Sequence, residues 1–316
     1  MLKAAVVHAF GVPPSVQEFR EPVAGPDESI IKIYAAALSP IVKRLASGQH
    51  YTSGASAGFI AGVDGVGMDE AGCRVYFLFP KAPFGSMAEM ALVANTMMVP
   101  IPDAVSSADA AAIANAGLAS WIALSRRAKI ERGETVLVLG ATGASGAMAL
   151  QIARHFGAGK IIAVGRNERK LDRLSADVKI VLDGRAGQAL SEQFDQGVDI
   201  VLDFVWGDPA VRTLRAATKD RGSRNGEPRL RYVQIGTIAG DDIVVRGDML
   251  RSTGLELLGS GIGSVAIQDL VAGAGELLAA TPSAGFTAPY TLLPLKDVEE
   301  TWNNTPDARL IFAPGS

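Results

Sequence analysis

Gly140, Gly143 and Gly146 recur every third residue in the segment Leu139-Gly140-Ala141-Thr142-Gly143-Ala144-Ser145-Gly146. An apolar, strand-like run precedes the segment and helical spacing follows it. A bound pyrophosphate needs a tight turn, a backbone bare enough to approach, and free N–H groups at a helix N-terminus. Here the glycines offer the first two, and the helix start offers the third. Ala141, Thr142, Ala144 and Ser145 complete this candidate phosphate cradle. The pattern is G-x-x-G-x-x-G instead of the strict G-x-G-x-x-G, so its weight depends on the strands around it. In NAD enzymes an acidic residue about 20 positions further on usually bonds the ribose 2′-hydroxyl. Arg166 stands 20 residues after Gly146, just past Gly165, and Asn167-Glu168-Arg169-Lys170 follows. A guanidinium attracts a 2′-phosphate and bonds it bidentately, whereas an acid would repel it. Arg166 and Arg169 are therefore the candidate phosphate ligands, with Lys170 a weaker one. Gly165, Gly236 and Thr237, the last two just beyond a later strand, complete the candidate cofactor-binding set. The cofactor that fits this pattern is NADPH.

These residues need a scaffold, and the sequence supplies its outline. The run 135–139 suits a strand buried on both faces. Ala147, Leu150, Ala153 and Phe156 then form one apolar helical stripe. Strand candidates recur at 160–164, 179–182, 199–203, 231–235 and 255–258, with helix-compatible stretches at 167–174, 187–194 and 208–218. Such alternation predicts an α/β fold: a doubly wound domain with a six-stranded parallel sheet and right-handed crossovers. The charged, Gly- and Pro-containing stretch 219–229 reads as a surface loop. Residues 1–116 instead look β-rich, with short apolar runs at 30–34 and 74–79 and glycine punctuation through 54–72 that favours turns and bulges. From about residue 265 the chain shows one amphipathic helix and two strand-like runs, 290–293 and 309–312, the last expected to return to the N-terminal domain. The expected domains are thus 1–116, completed by 265–316, and 117–264.

Composition removes other classes of function. Thirty basic residues against 33 acidic ones, a net charge of −3, leave no broad cationic surface for nucleic acid. One cysteine and three scattered histidines leave no disulfide framework and few zinc ligands. The apolar N-terminal run breaks too early for a signal peptide, and the stretch 108–124 carries Asp109, Asn115 and Ser120. A cytoplasmic protein without membrane or nucleic-acid partners is expected, with Cys73 a buried spectator.

Several segments together resemble a known family. Leu2-Lys3-Ala4, Gly62-Val63-Asp64-Gly65-Val66-Gly67, Phe84-Gly85-Ser86-Met87-Ala88-Glu89, Ala116-Gly117-Leu118-Ala119-Ser120-Trp121, the glycine turn with Gln151-Ile152-Ala153, 198–203 and 233–236 are similar to zinc-independent medium-chain dehydrogenases/reductases of the quinone oxidoreductase, zeta-crystallin-like, group. The resemblance spans nearly the whole chain. It implies a GroES-like catalytic domain on a Rossmann domain, an active site in the cleft between them, and a homodimer paired through outer Rossmann strands near 255–260. Zinc-dependent relatives carry Gly-His-Glu where this chain has Gly62-Val63-Asp64, so no metal is expected. Without a Lewis acid, conjugated acceptors are the natural substrates, because the charge delocalises onto oxygen. The expected activity is metal-free, NADPH-dependent hydride transfer to a quinone or other α,β-unsaturated carbonyl. The alternatives are a zinc-free alcohol or aldehyde reductase and an NADPH-binding structural or regulatory protein with little turnover.

The chain also departs from the family. The common Asn-Pro-x-Asp is Ser39-Pro40-Ile41-Val42, and a frequent Thr is Ala119. His50 and Tyr51 lie where the family often has an active-site tyrosine and are the catalytic candidates, the alternative being a surface loop or packed aromatics. Asn115 and Trp121 are candidates for the cleft wall, Trp121 equally for the core.

Overall fold

The computed structural model describes residues 1–315. Two compact units emerge, one of residues 1–118 with the chain from 268 onward and one of residues 119–267. The first begins with β1 (Leu2–Val7), β2 (Ser15–Phe19), β3 (Glu28–Ala37), the short helix α1 (Pro40–Ala46) and β4 (Phe59–Ile60). It continues with β5 (Asp64–Met68), β6 (Arg74–Leu78), β7 (Met90–Ala94), β8 (Met98–Pro100) and the start of α2 (Ser107–Ile122). β1 pairs antiparallel with β2 and β4, while β3 pairs antiparallel with β5 and β7. The sequence reading missed α1. It starts where Pro40 sets the first helical φ after Ser39, and it buries Val42 and Ala46. The stretch 54–72 does form turns and two short strands. Cys73 contradicts its expected burial: it lies exposed in the turn leading into β6, where its backbone N–H donates to Asp69 Oδ1 at 2.7 Å. A hairpin turn has no interior in which to place a thiol.

The second unit is a six-stranded parallel sheet of β9 (Thr135–Leu139), β10 (Lys160–Gly165), β11 (Val178–Val181), β12 (Ile200–Asp203), β13 (Arg229–Gln234) and β14 (Gly254–Gly259). Its spatial order is β11-β10-β9-β12-β13-β14, so the winding reverses between β9 and β12. That doubly wound order is the one the strand–helix alternation implied. The central strands bury both faces: Leu137, Leu139, Ile162, Val164 and Val201 are 5 % exposed or less. The crossovers are α3 (Ala144–His155), α4 (Glu168–Asp172), α5 (Ala186–Gln196), α6 (Gly207–Thr218) and α7 (Gly247–Arg251). α4 is shorter than the stretch 167–174 suggested, since only Leu171 of its helix is buried to hold it. The loop 219–229 is irregular as expected, and its Arg221 is engaged by Phe194 O, Asp195 and Glu227.

The remaining elements are α8 (Ile267–Ala284), β15 (Tyr290–Pro294), α9 (Val298–Thr301) and β16 (Arg309–Ala313). β16 pairs parallel with β15 and antiparallel with β3, Ile311 opposite Ala37. The last strand therefore completes the N-terminal unit. No helix among the described residues is long and apolar enough to cross a membrane.

Candidate functional site

In the parallel-sheet unit the glycine turn sits at the C-terminal end of β9, beside the switch point where open α/β sheets bind ligands. Each glycine has its own reason. Gly140 has φ +93, which L side chains rarely adopt, and a Cβ there would come within 3.0 Å of Val205. At Gly146 a Cβ would lie 2.2 Å from Gly140 O, so only glycine lets α3 approach the turn this closely. Gly143 differs: its φ is −83 and the nearest protein atom to an added Cβ is 3.5 Å away. The protein itself does not demand glycine at 143. Gly143 is also the N-cap of α3 and has no side chain to occupy the first N–H groups, which α-helices leave unpaired. Ala141 is buried, and Thr142, Ala144 and Ser145 are half-buried around the turn.

The tip of β10 lies against this turn. A Cβ on Gly165 would be 2.8 Å from Thr142 Cγ2. Beyond it Asn167 caps α4, its Oδ1 accepting from the Lys170 N–H at 3.0 Å. Arg166 and Arg169 flank that cap, exposed and bonded to no described residue. Lys170 is half-buried and already engaged. On the other side of the turn Gly236 packs on Phe204, where a Cβ would come within 2.5 Å of its carbonyl oxygen, and Thr237 follows half-buried.

The sequence reading gave no role to the group that braces this edge. Asp203, fully buried at the end of β12, accepts from the Val205 and Trp206 N–H groups at 2.8 and 2.9 Å and from the Tyr232 hydroxyl at 2.7 Å. Burial pushes the Asp203 carboxyl above its ordinary range despite these three donors. Trp206 is held at φ 56, a conformation costing a non-glycine residue about 1–3 kcal/mol, which these bonds offset. An acid closing an apolar strand was the available signal.

In the N-terminal unit His50 and Tyr51 stack at 4.2 Å, and His50 Nδ1 meets Thr52 Oγ1 at 2.7 Å. Burial and then Arg44 push the His50 pKa down, so the ring is neutral at pH 7. Tyr51 is 72 % exposed. A second polar group lies inside the same unit. Asp64 is buried, accepting from the Tyr76 hydroxyl at 2.8 Å and from Asn115 Nδ2 at 3.0 Å. Burial raises its pKa to about 6, against the opposing pull of those donors and of Arg309. Ser39 is buried here too, while Val42 belongs to the apolar core and Ala119 is half-buried. In the other unit, Trp121 packs against His155 and Phe156 as a buried core residue.

The chain matches the family model for zinc-binding dehydrogenases over residues 144–280. It is 31% identical to a probable NADPH-dependent quinone reductase of Emericella nidulans, with 99% of this chain and 100% of that one aligned. It is 29% identical to the quinone oxidoreductase of Rattus norvegicus over 65% of this chain and 67% of that one. Among solved structures, the quinone oxidoreductase of Thermus thermophilus, known also in complex with NADPH, superposes with a TM-score of 0.82 at 25% identity, covering 98% of this chain and 99% of that one. The donor set does not fit the zinc of the family model's description: among the described residues no three His, Cys, Asp or Glu side chains are grouped to hold a metal, and Asp64 is committed to Tyr76 and Asn115. With a glycine turn at the switch point, an all-parallel sheet of six strands and similarity along its whole length, this chain belongs to the quinone oxidoreductase type of the medium-chain dehydrogenases/reductases.

Proposed function

We propose that this protein is an NADPH-dependent oxidoreductase that reduces a quinone or another α,β-unsaturated carbonyl without a metal ion. The observation that carries this reading is the turn 140–146 with two uncommitted arginines at the neighbouring strand tip, in a chain aligned end to end with a probable NADPH-dependent quinone reductase. NADPH supplies the hydride when bound. The N-terminal N–H groups of α3 bond its pyrophosphate, and Gly143 leaves the space the phosphates need. Arg166 and Arg169 hold the 2′-phosphate, with no acid between Gly165 and Asn167 to oppose it. The backbone around Gly236 and Thr237 closes the cofactor site, and the Asp203–Tyr232 pair keeps Phe204 and Val205 against the glycine turn. Tyr51 and His50 are the candidates for orienting the acceptor or relaying its proton from solvent. With no metal to polarise an isolated carbonyl, the acceptor must delocalise its own charge.

The test is a steady-state assay with NADPH against quinones, enones and simple ketones. Quinones and enones should be reduced at least tenfold better, and NADPH deuterated at the transferred position should leave deuterium on the β-carbon of the enone product. Comparable turnover of unconjugated ketones, or deuterium at the carbinol carbon, would replace this reading with an alcohol dehydrogenase. Tight NADPH binding with no turnover would leave a non-enzymatic role. A homodimer paired through β14 is part of the proposal. β14 is an edge strand with Leu257 exposed on it, and light scattering at the monomer mass would remove that part.

A further inference from the structure

Among the described residues, Ser39 Oγ, Asn115 Oδ1 and Arg309 Nε are buried side-chain atoms without a hydrogen-bond partner. The sheet brings them to one end. In its order β3 lies between β16 and β5, and the registers Ile311–Ala37 and Val66–Ala35 set the exit of β3 beside the first residues of both neighbours, Arg309 and Asp64. Arg309 reaches Leu38 O at 3.4 Å and faces Asp64; Asn115 comes in from α2.

Asp64 decides how the Asn115 amide faces. Its carboxylate accepts only, so Nδ2 must point to it and Oδ1 is left as an acceptor in need of a donor. Tyr76 already takes the other Asp64 oxygen. Ser39 sits at the N-cap of α1, where a serine oxygen commonly accepts a backbone N–H, yet it makes no capping bond. The site thus holds two spare donors, the Ser39 hydroxyl and the Arg309 Nε–H, and one spare acceptor, a set that suits an oxygen that begins as a carbonyl and ends as a hydroxyl.

We infer that Ser39 and Asn115 are the ligands of the acceptor oxygen and that Asp64 is the positioning residue that aims the Asn115 carbonyl at it. This rests on the proposed reduction of conjugated carbonyls. Hydride adds to the conjugated carbon, the π electrons shift to the carbonyl oxygen, and that oxygen takes one proton from water. Ser39 Oγ–H donates to the oxygen as its charge grows. Asn115 Oδ1 accepts from the O–H that results, so it recognises the reduced product more than the quinone.

Product inhibition reads this directly. In Asn115→Ala the inhibition constant of a hydroquinone should rise about tenfold, the loss of one hydrogen bond, while NADPH affinity stays at the parent value. The hydroquinone dimethyl ether, which has no O–H to give, should inhibit parent and variant alike. Ser39→Ala should lower kcat with little change in the quinone KM. Asn115→Leu, closer in volume, gives the same readout if the alanine variant does not fold. An unchanged hydroquinone constant, or hydroquinone and NADPH affinities falling together as a packing defect would make them, overturns the assignment. If the parent reduces no quinone or enone, the proposed function fails first and this inference with it.

Discussion

Removing Arg166 and Arg169 tests the cofactor assignment with little interference from folding. Both guanidinium groups are exposed, and neither bonds a described residue, so truncating them removes no native contact. A hydrogen bond between charged partners contributes about 1.5–3 kcal/mol, and solvent screening at this exposed site favours the lower end. Each alanine substitution should then weaken NADPH binding about tenfold, and the double variant about a hundredfold if the two act independently. NADH lacks the 2′-phosphate, so its affinity should move by less than about twofold. The assay is a fluorescence titration of both cofactors at low and high salt. The parent should lose NADPH affinity as salt rises, and the double variant should lose most of that dependence. Melting temperatures should agree within the error of the scan. The reasoning is refuted if both single variants bind NADPH as tightly as the parent, or if NADH affinity falls in parallel.

Three further outcomes are expected. Gly146→Ala should destabilise the protein by about 1–3 kcal/mol because its Cβ would meet Gly140 O at 2.2 Å, whereas Gly143→Ala should leave urea unfolding nearly unchanged yet cost at least about tenfold in NADPH affinity; equal stability losses at the two positions would contradict the distinction. Asp64 has its pKa raised by burial from 3.8 to about 6, so its stability contribution is complete below the unfolded value and is lost as pH rises through about 6. Asp64→Asn should therefore gain about 2 kcal/mol relative to the parent between pH 4 and pH 7, and a pH-independent difference in unfolding free energy would dismiss the buried ionisation. Prolonged dialysis against a strong chelator should leave activity intact, since no metal-binding group exists among the described residues; activity lost on chelation and restored by zinc would reverse that expectation.

Features that depend on neighbouring residues were legible in the chain itself. The strand run 135–139, the glycine turn and the helical stripe after it are fixed by local backbone freedom and periodicity, and so was the strand–helix alternation that builds a doubly wound sheet. The arginines at the tip of β10 were legible because helix and strand lengths set their distance from the turn. Other features depended on pairings between distant segments. Asn115 faces Asp64 across 51 residues, Tyr232 meets Asp203 across 29, and the buried Arg231 reaches Glu134 across 97. Such pairings arise only when strand register and helix packing bring the partners into the same dry interior, where an unpaired polar group is costly enough to select its neighbour. The same logic explains the smaller misses: Cys73 reads as an apolar residue until a hairpin turns it outward, and α1 is too short to show a period. Sequence alone thus determined where the proposed dinucleotide site lies in the chain, and the tertiary structure decided which buried groups brace that edge and which buried polar atoms are left without a hydrogen-bond partner.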